Sequence, residues 1–458
     1  MAPLFSVSGL ASGLDWRKII DELMAVERRP ITALQQRKTR LETVKQAWSD
    51  LKLALQAVDT KLDPFFVSTT FRARLAVSSA ETVVTGSASA GAPTGTYAIS
   101  VKTLAQAQVV ASAPQSTGAL GLAADSSFRV TVNGTTTTID GIGPDDTVAS
   151  IAQKVNDAGA GVTASVVNTV VDGVTKSVLV LKSKTTGKAG AMVLEDVNGG
   201  VLTQLEVLKP DGPNVVVEAQ DATFTVDGVQ VTSGSNTVTT AVPGVTLELR
   251  GTGSATLEVK VDLDAMVGKI KDFVKAYNDA LAKLRGYLAN SPGQSGPLGG
   301  DPTAQSVERQ MRQLVYEAVP GLPATMDSLY DAGISTSGTT GELVIDESRL
   351  RQALSSQPDA VAALFYSSDA AVNSVAEKLR DAFRLWVQAG TGLIPSRLSG
   401  LEGQIKDMVD RIAVLEDRLK IREQRLIEQF VTLERSLSLL QSQGAWLEQR
   451  LAALLPQE

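Results

Sequence analysis

From Leu34 onward the apolar residues fall at Leu34, Leu41, Trp48, Leu55 and Leu62, with Val44, Leu51 and Val58 between them. A 3-4 alternation held over about four heptads predicts the seam of a coiled coil. Ahead of it, Ile19, Ile20, Leu23, Met24 and Val26 keep a helical period, and Pro30 predicts a break or a fresh first turn. Pro64, followed by Phe65 and Phe66, predicts the end of that helix. Near the other terminus Ile405, Ile412, Leu419, Leu426, Leu433, Leu440, Leu447 and Leu454 stand at successive seven-residue steps, with Leu401, Met408 and Leu415 as a second stripe. The second stripe fails at Arg422 and resumes in a shifted place at Phe430, Leu437 and Leu451, which predicts a stutter where the supercoil unwinds. From Leu401 to Leu455 this reads as one helix roughly 80 Å long. Two further helical stripes run from Met266 to Leu288 and from Val372 to Trp386.

Between about Arg72 and Val261 the period changes to two, as in Tyr97/Ile99/Val101, Phe128/Val130/Val132 and Val245/Leu247/Leu249. Asn133-Gly134 and Asp227-Gly228 sit between such runs and supply the positive φ that two-residue hairpins need. The segments FRVTVNGTT and ATFTVDGVQ are alike enough to suggest a duplicated hairpin. One helix interrupts the region, with Thr147 as N-cap, Ile151 and Val155 on its apolar face and Gly159 as its stop.

The predicted fold is therefore α+β and multidomain: a coiled-coil or helical-bundle stalk built from both termini, with antiparallel β-rich head domains inserted between. The expected division is 1–66 for the lead and first stalk helices, 67–115 and 216–262 for an inner head domain, and 116–215 for an outer one. Residues 263–400 hold stalk helices with a small β element around Leu329 to Ile345, and 401–458 the C-terminal coiled coil. Residues 291–301, SPGQSGPLGGD, read as a loop between stalk helices.

Composition narrows the use of such an architecture. Aromatics make up only 4% of the chain, and there is neither cysteine nor histidine. Disulfides, thiol nucleophiles, imidazole metal ligands and Ser-His-Asp machinery are thereby excluded. A net charge of -7 argues against a nucleic-acid or membrane-surface partner. No apolar run approaches the roughly 20 residues that span a bilayer. The opening stretch VSGLASGLDW has none of the charged, apolar, small-residue order of a secretory signal, so no cleavable signal is expected. Within it, Ser12 and Asp15 have the spacing of a capping box ahead of Ile19 and Ile20.

Candidate chemistry is sparse. The run KSKTTGKAG, Lys182 to Gly190, resembles a phosphate-binding loop but has Lys182 where a glycine is required and Ala189 where Ser or Thr is required. Asp145-Asp146, Asp59 with Asp63, and Glu342 with Asp346 and Glu347 are the nearest approach to carboxylate clusters, each where caps and turns carry acids. A carboxylate-only hydrolase needs a pair of buried acids about 5 to 9 Å apart. No enzyme and no cofactor are expected. The apolar stripes are a stronger signal: the C-terminal one is longer than the N-terminal helix can cover, so positions such as Leu426, Leu433 and Leu440 are expected to lack a partner within the chain. Ends that order on assembly suit a self-associating protein.

VSGLASGLDW, RRPITALQQRKTRLETVKQAWSDLKLAL, TYAISVKTLAQAQVVAS, DGVQVTSGSNTVTTAVPGVTLEL, GPLGGDPTAQSVERQMRQLV, GISTSGTTGELVIDESRLRQAL and the C-terminal coiled coil resemble the bacterial flagellar filament cap family, also called hook-associated protein 2. TVASIAQKVNDAGAGVTASVVN resembles an insert shared with flagellins, and roughly 170–215 is the part least like the family. The resemblance implies a protein exported through the flagellar type III channel with an export chaperone. It implies an extracellular ring-like homo-oligomer at the distal filament tip, rings of the family being commonly described as pentameric. Flagellin insertion would proceed beneath that ring. Assembly or flagellin contact is expected at Leu10, Leu14, Ile19, Leu23, Leu426, Phe430, Leu433, Leu437, Leu440 and Leu447. The alternatives are another axial flagellar protein, at the hook-filament junction or flagellin itself, and a secreted adhesin whose β head binds glycans.

Overall fold

The computed structural model describes residue 13 and residues 15–291, 294–369 and 371–452. Along the chain its helices are α1 (Trp16–Leu62), α2 (Val148–Asp157), α3 (Val201–Gln204), α4 (Leu263–Leu288), α5 (Pro302–Tyr316), α6 (Glu347–Ser356), α7 (Pro358–Phe365), α8 (Val375–Val387) and α9 (Leu393–Ala452). By contact the chain divides into two units, Met1–Val67 with Val267–Glu458, and Ser68–Met266. The first is helical and made from both ends of the sequence; the second is β-rich and inserted between them. No helix among the described residues is long and apolar enough to cross a membrane.

In the helical unit α1 runs 47 residues without interruption. The break expected at Pro30 is absent: proline costs one backbone hydrogen bond, but Met24 and Ile31 on either side are buried and packing carries the helix through. Its N-cap is Asp15, whose carboxylate accepts from the Lys18 amide at 3.3 Å. Asp15 is thus the cap itself rather than the third residue of a capping box, and Ser12 lies outside the described residues. The C-terminal half of α1 is the more deeply buried, with Trp48, Leu51, Leu55, Val58 and Leu62 fully enclosed, while Leu34, Leu41 and Val44 are half-buried. The helix ends at Leu62, one residue before the predicted Asp-Pro boundary turns into a short 3-10 segment, Asp63–Phe66.

Three aromatic rings close the bundle there. Phe65 stacks on Phe365 at 4.5 Å and meets Phe273 edge-on at 5.9 Å. Arg380 on α8 sits 3.7 Å from the Phe66 ring centroid, and its guanidinium donates to Asp59 and Asp63. The predicted stripes of α4 and α8 are the buried faces: Ile270, Phe273, Tyr277, Leu281 and Leu284 on one, Val375, Leu379, Phe383 and Trp386 on the other. The short hairpin Ile334–Thr336 with Leu343–Ile345 is held to α4 by Asn278, whose amide pairs both polar groups of the Leu343 backbone at 2.8 Å.

The β unit has two cores. An inner core lies between a five-stranded antiparallel sheet, in the order Arg74–Ser78, Gly253–Val261, Gly95–Thr103, Ala222–Val226, Val229–Ser233, and a three-stranded sheet, Thr237–Val242, Val245–Leu249, Val84–Ala88. Val84, Ile99, Phe224, Leu247 and Leu257 fill it. The outer core joins a four-stranded sheet, Val215–Val217, Val109–Ala111, Val174–Ser183, Val162–Val171, to a three-stranded one, Thr135–Ile142, Ser126–Val132, Met192–Asn198, with α2 packed on Val162–Val171. Strands Val109–Ala111 and Val215–Val217 thus extend the outer sheet to either side of 116–215. Both predicted hairpin turns form, with φ of 51° and 76° at Asn133-Gly134 and 48° and 84° at Asp227-Gly228. Helix α2 has the expected Thr147 cap, completed by Ser150 into a capping box, and ends ahead of Gly159 at φ 64°.

Candidate assembly interface

Each cluster that might carry chemistry is engaged in structure. The Lys182–Gly190 run is the junction between the two β cores: Gly187 donates to Gln106, the Thr186 hydroxyl to Gly234, and the Lys188 amide to the Asp221 carboxylate at 2.7 Å. The chain's own carboxylate therefore takes the backbone amide a phosphate would need. Asp146 accepts from Gly143, Ser150 and Lys154 at 2.6 to 2.7 Å. Burial alone would raise its pKa, and these donors outweigh that and hold it below the usual range. Asp59 and Asp63 share Arg380, and Asp346 caps α6. Glu347 bridges Lys271 and Arg351, which lower its pKa. Asp50 accepts from the Tyr287 hydroxyl at 2.8 Å, pinning α4 to α1; burial, then the facing carboxylate, pushes the Tyr287 phenol up to about 12. These carboxylates are caps and clamps.

The terminal coil is different. Helix α9 runs 60 residues, about 90 Å at 1.5 Å per residue, antiparallel contacts with α1 covering only part of it. Leu401 and Ile412 are buried, and Ile405, Met408, Leu415 and Leu419 are half-buried along the seam. The seam then passes over Glu423 and returns at Leu426, a 4-4 spacing that realises the predicted stutter, while Arg422 turns outward to pair with Glu27 at 3.6 Å. Lys45 with Glu402 at 2.8 Å ties the opposite end of the coil.

At the start of α1, Trp16, Ile20 and Met24 are buried against Leu419, Leu426 and Phe430. The Trp16 and Phe430 rings stack at 6.1 Å with an 11° interplanar angle. Leu426, expected to lack a partner within the chain, is covered by α1, because the two helices are paired in a register that brings α1's first turns to it. Of the remaining expected positions, Ile19 is half-buried and Leu23 exposed on α1, and Leu437 is half-buried on α9. Leu433, Leu440 and Leu447 are 47%, 62% and 54% exposed, and Leu439 and Trp446 lie open beside them. Leu10 and Leu14 lie outside the described residues. Sequence reasoning passed over Trp446 and the Trp16–Phe430 stack; both tryptophans stood in plain view, but neither falls on the seven-residue steps.

Two family models match the chain: flagellar hook-associated protein 2 N-terminus over residues 12–108 and its C-terminus over 219–442. Between them they span well over half of it. The chain is 27% identical to the A-type flagellar hook-associated protein 2 of Pseudomonas aeruginosa, covering 99% of this chain and 98% of that one. It is 28% identical to flagellar hook-associated protein 2 of Escherichia coli (strain K12), covering 98% of each. The crystal structure of the D1-D2-D3 domains of the flagellar cap protein FliD from Escherichia coli matches at a TM-score of 0.64 and 27% identity, over 78% of this chain and 99% of that one. A helical unit made from both chain ends, with β cores inserted, is here a structural component of the bacterial flagellum. The chain belongs to the flagellar hook-associated protein 2 family, the proteins that cap the flagellar filament.

Proposed function

We propose that the chain works as a ring-like homo-oligomer at the distal, extracellular tip of the filament, and that its terminal coil docks against flagellin while subunits insert beneath it. One observation carries this reading: the apolar stripe of α9 continues past the Trp16–Phe430 stack as exposed Leu433, Leu440 and Leu447. Burying a leucine fully is worth about 1.5 to 3 kcal/mol. A few half-exposed ones therefore give contacts strong enough to hold a helix in a groove and weak enough to exchange as subunits insert. Ile19, Leu23 and Leu437 are the proposed flanks of this surface, Leu426 and Phe430 its anchored base, and Leu10 and Leu14 further proposed contact residues.

The same proposal includes export through the flagellum's own channel, in company with an export chaperone. It includes a purely binding role, with no catalysis, cofactor, nucleic acid or membrane. The engagement of the Asp, Glu and Lys clusters in caps and clamps supports that role. The two β cores support an inner domain on both sides of an inserted outer one. The test is Leu433→Glu, Leu440→Glu and Leu447→Glu together, in cells lacking their own copy. Flagellin shed into the medium and stunted filaments are expected; filaments of normal length would sink the reading.

A further inference from the structure

The outer sheet ends in a bare strand. In Val162–Val171, Asn168 faces Ser177 and Val166 faces Leu179 across the ladder. Ser177 exchanges backbone hydrogen bonds with Gln115 on its far side, at 2.8 and 2.9 Å, and Leu179 bonds Ser112 there through both its amide and its carbonyl. Residues opposite one another in an antiparallel ladder turn their polar groups the same way relative to it, both inward or both outward. The N–H and C=O of Val166 and Asn168, and by alternation of Val170, therefore point away from the sheet. One step earlier in the same row Ala164 is covered: the Asn156 side chain bonds its N–H at 2.9 Å and its C=O at 2.8 Å. Val166, Asn168 and Val170 meet no such cover among the described residues.

Sheet edges are ordinarily guarded by charge, proline, a bulge or shortness. This strand is ten residues long, has an unbroken register and contains neither charge nor proline. The other edges of the outer half differ: Thr135–Ile142 carries Asp140, Met192–Asn198 carries Glu195 and Asp196, and Val215–Val217 is only three residues. Around the bare row Val167, Val170 and Val174 are 52%, 68% and 57% exposed.

We propose that this edge is a strand-pairing site whose occupant is the same edge of a second copy of the chain, antiparallel about Asn168. The charge pattern argues for that occupant. A neutral strand places no like charges opposite one another, whereas either charged neighbouring edge would bring an uncompensated charge. The outward row reads Val-x-Asn-x-Val in both directions, so Val166 meets Val170 of the second copy, Asn168 meets Asn168, and all six polar groups pair. On the other face Val167 meets Thr169. A strand of this length falls short of the roughly 800 Å² per partner that stable complexes bury. The contact is thus weak between two free chains and, being self-complementary, joins copies in pairs.

The proposal stands apart from the cap reading, and amide exchange tests it in the full chain. In the wild type, exchange at Val166, Asn168 and Val170 should slow by roughly tenfold or more on concentration, as mass action requires. Val167→Lys sets a cation against Thr169 and the adjacent Lys176 of the second copy and should abolish that protection, with the core amides unchanged. Adding Thr169→Glu places opposite charges face to face twice and should restore it. Three amides that exchange freely at every concentration would overturn the proposal. Protection that the double variant fails to recover would also overturn it, by pointing to a different strand as occupant.

Discussion

Replacing Trp16 by Ala tests how the terminal coil is closed. Trp16 is 5% exposed, stacks on Phe430, and belongs with Ile20 and Met24 to the cluster that packs against Leu419, Leu426 and Phe430 on α9. A buried Trp→Ala change costs about 3 to 5 kcal/mol in a full core. Its α9 partners are only partly buried, which lowers that figure, while the lost ring stack adds about 0.5 to 1.5 kcal/mol. We expect about 2 to 3 kcal/mol, hence a rise of roughly 30- to 150-fold in local opening. The opening should stay local, because Trp48, Phe65, Phe273 and Phe383 form a separate and fully buried core. Amide exchange is the assay: residues 16–30 and 419–437 should exchange faster by that factor, with residues 48–62 and 270–284 unchanged. Uniform acceleration across both regions, or none at all, would refute the idea that this end of the coil opens as its own unit.

Arg380→Gln should cost about 1 to 2 kcal/mol in denaturant titrations, since both the Phe66 contact and the Asp59–Asp63 clamp are lost. Arg380→Lys should recover less than half, because one ammonium cannot fork to two carboxylates and lie flat on a ring. Asp146, with its carboxyl held low, contributes stability that is present above the ordinary carboxylate pKa of about 3.9 and lost as pH falls through the folded value. Asp146→Asn should therefore flatten the acid limb of outer-core stability and leave exchange near α2 faster at neutral pH. At Gly187, φ is 79° and a β-carbon would come within 2.5 Å of the Gly234 Cα. Gly187→Ala should lower the melting temperature and loosen the junction of the β cores, while inorganic phosphate leaves the melting of either protein unchanged.

Local rules carried much of this structure. The heptad stripes are the covered faces of α1 and of α9 as far as Leu426, Asn133-Gly134 and Asp227-Gly228 turn where their φ allows, and Thr147 caps α2. The Asp172-Gly173 hairpin went unread although its chemistry is the same, with φ of 51° and 76°, because the valines around it run on without clean alternation. Other features depend on pairing between residues far apart in sequence. Arg380 meets Asp59 across 321 positions, and no stripe announces it. Pro30 is a local stop signal overruled by tertiary burial on both sides. The cover over Leu426 follows from the register of two helices hundreds of residues apart, which periodicity leaves free. Of the candidate surface, the stripe itself was legible; where it passes from covered to open was not, since that boundary is set by where Trp16 lands.

The central claim is that the open end of α9 takes part in holding copies of the chain together. The most direct measurement is the mass of the full chain by light scattering over a concentration series, against a chain ending at Phe430. A discrete multimer for the full chain and a monomer for the shortened one is the predicted result. Equal masses at every concentration would contradict the claim and move assembly to another surface.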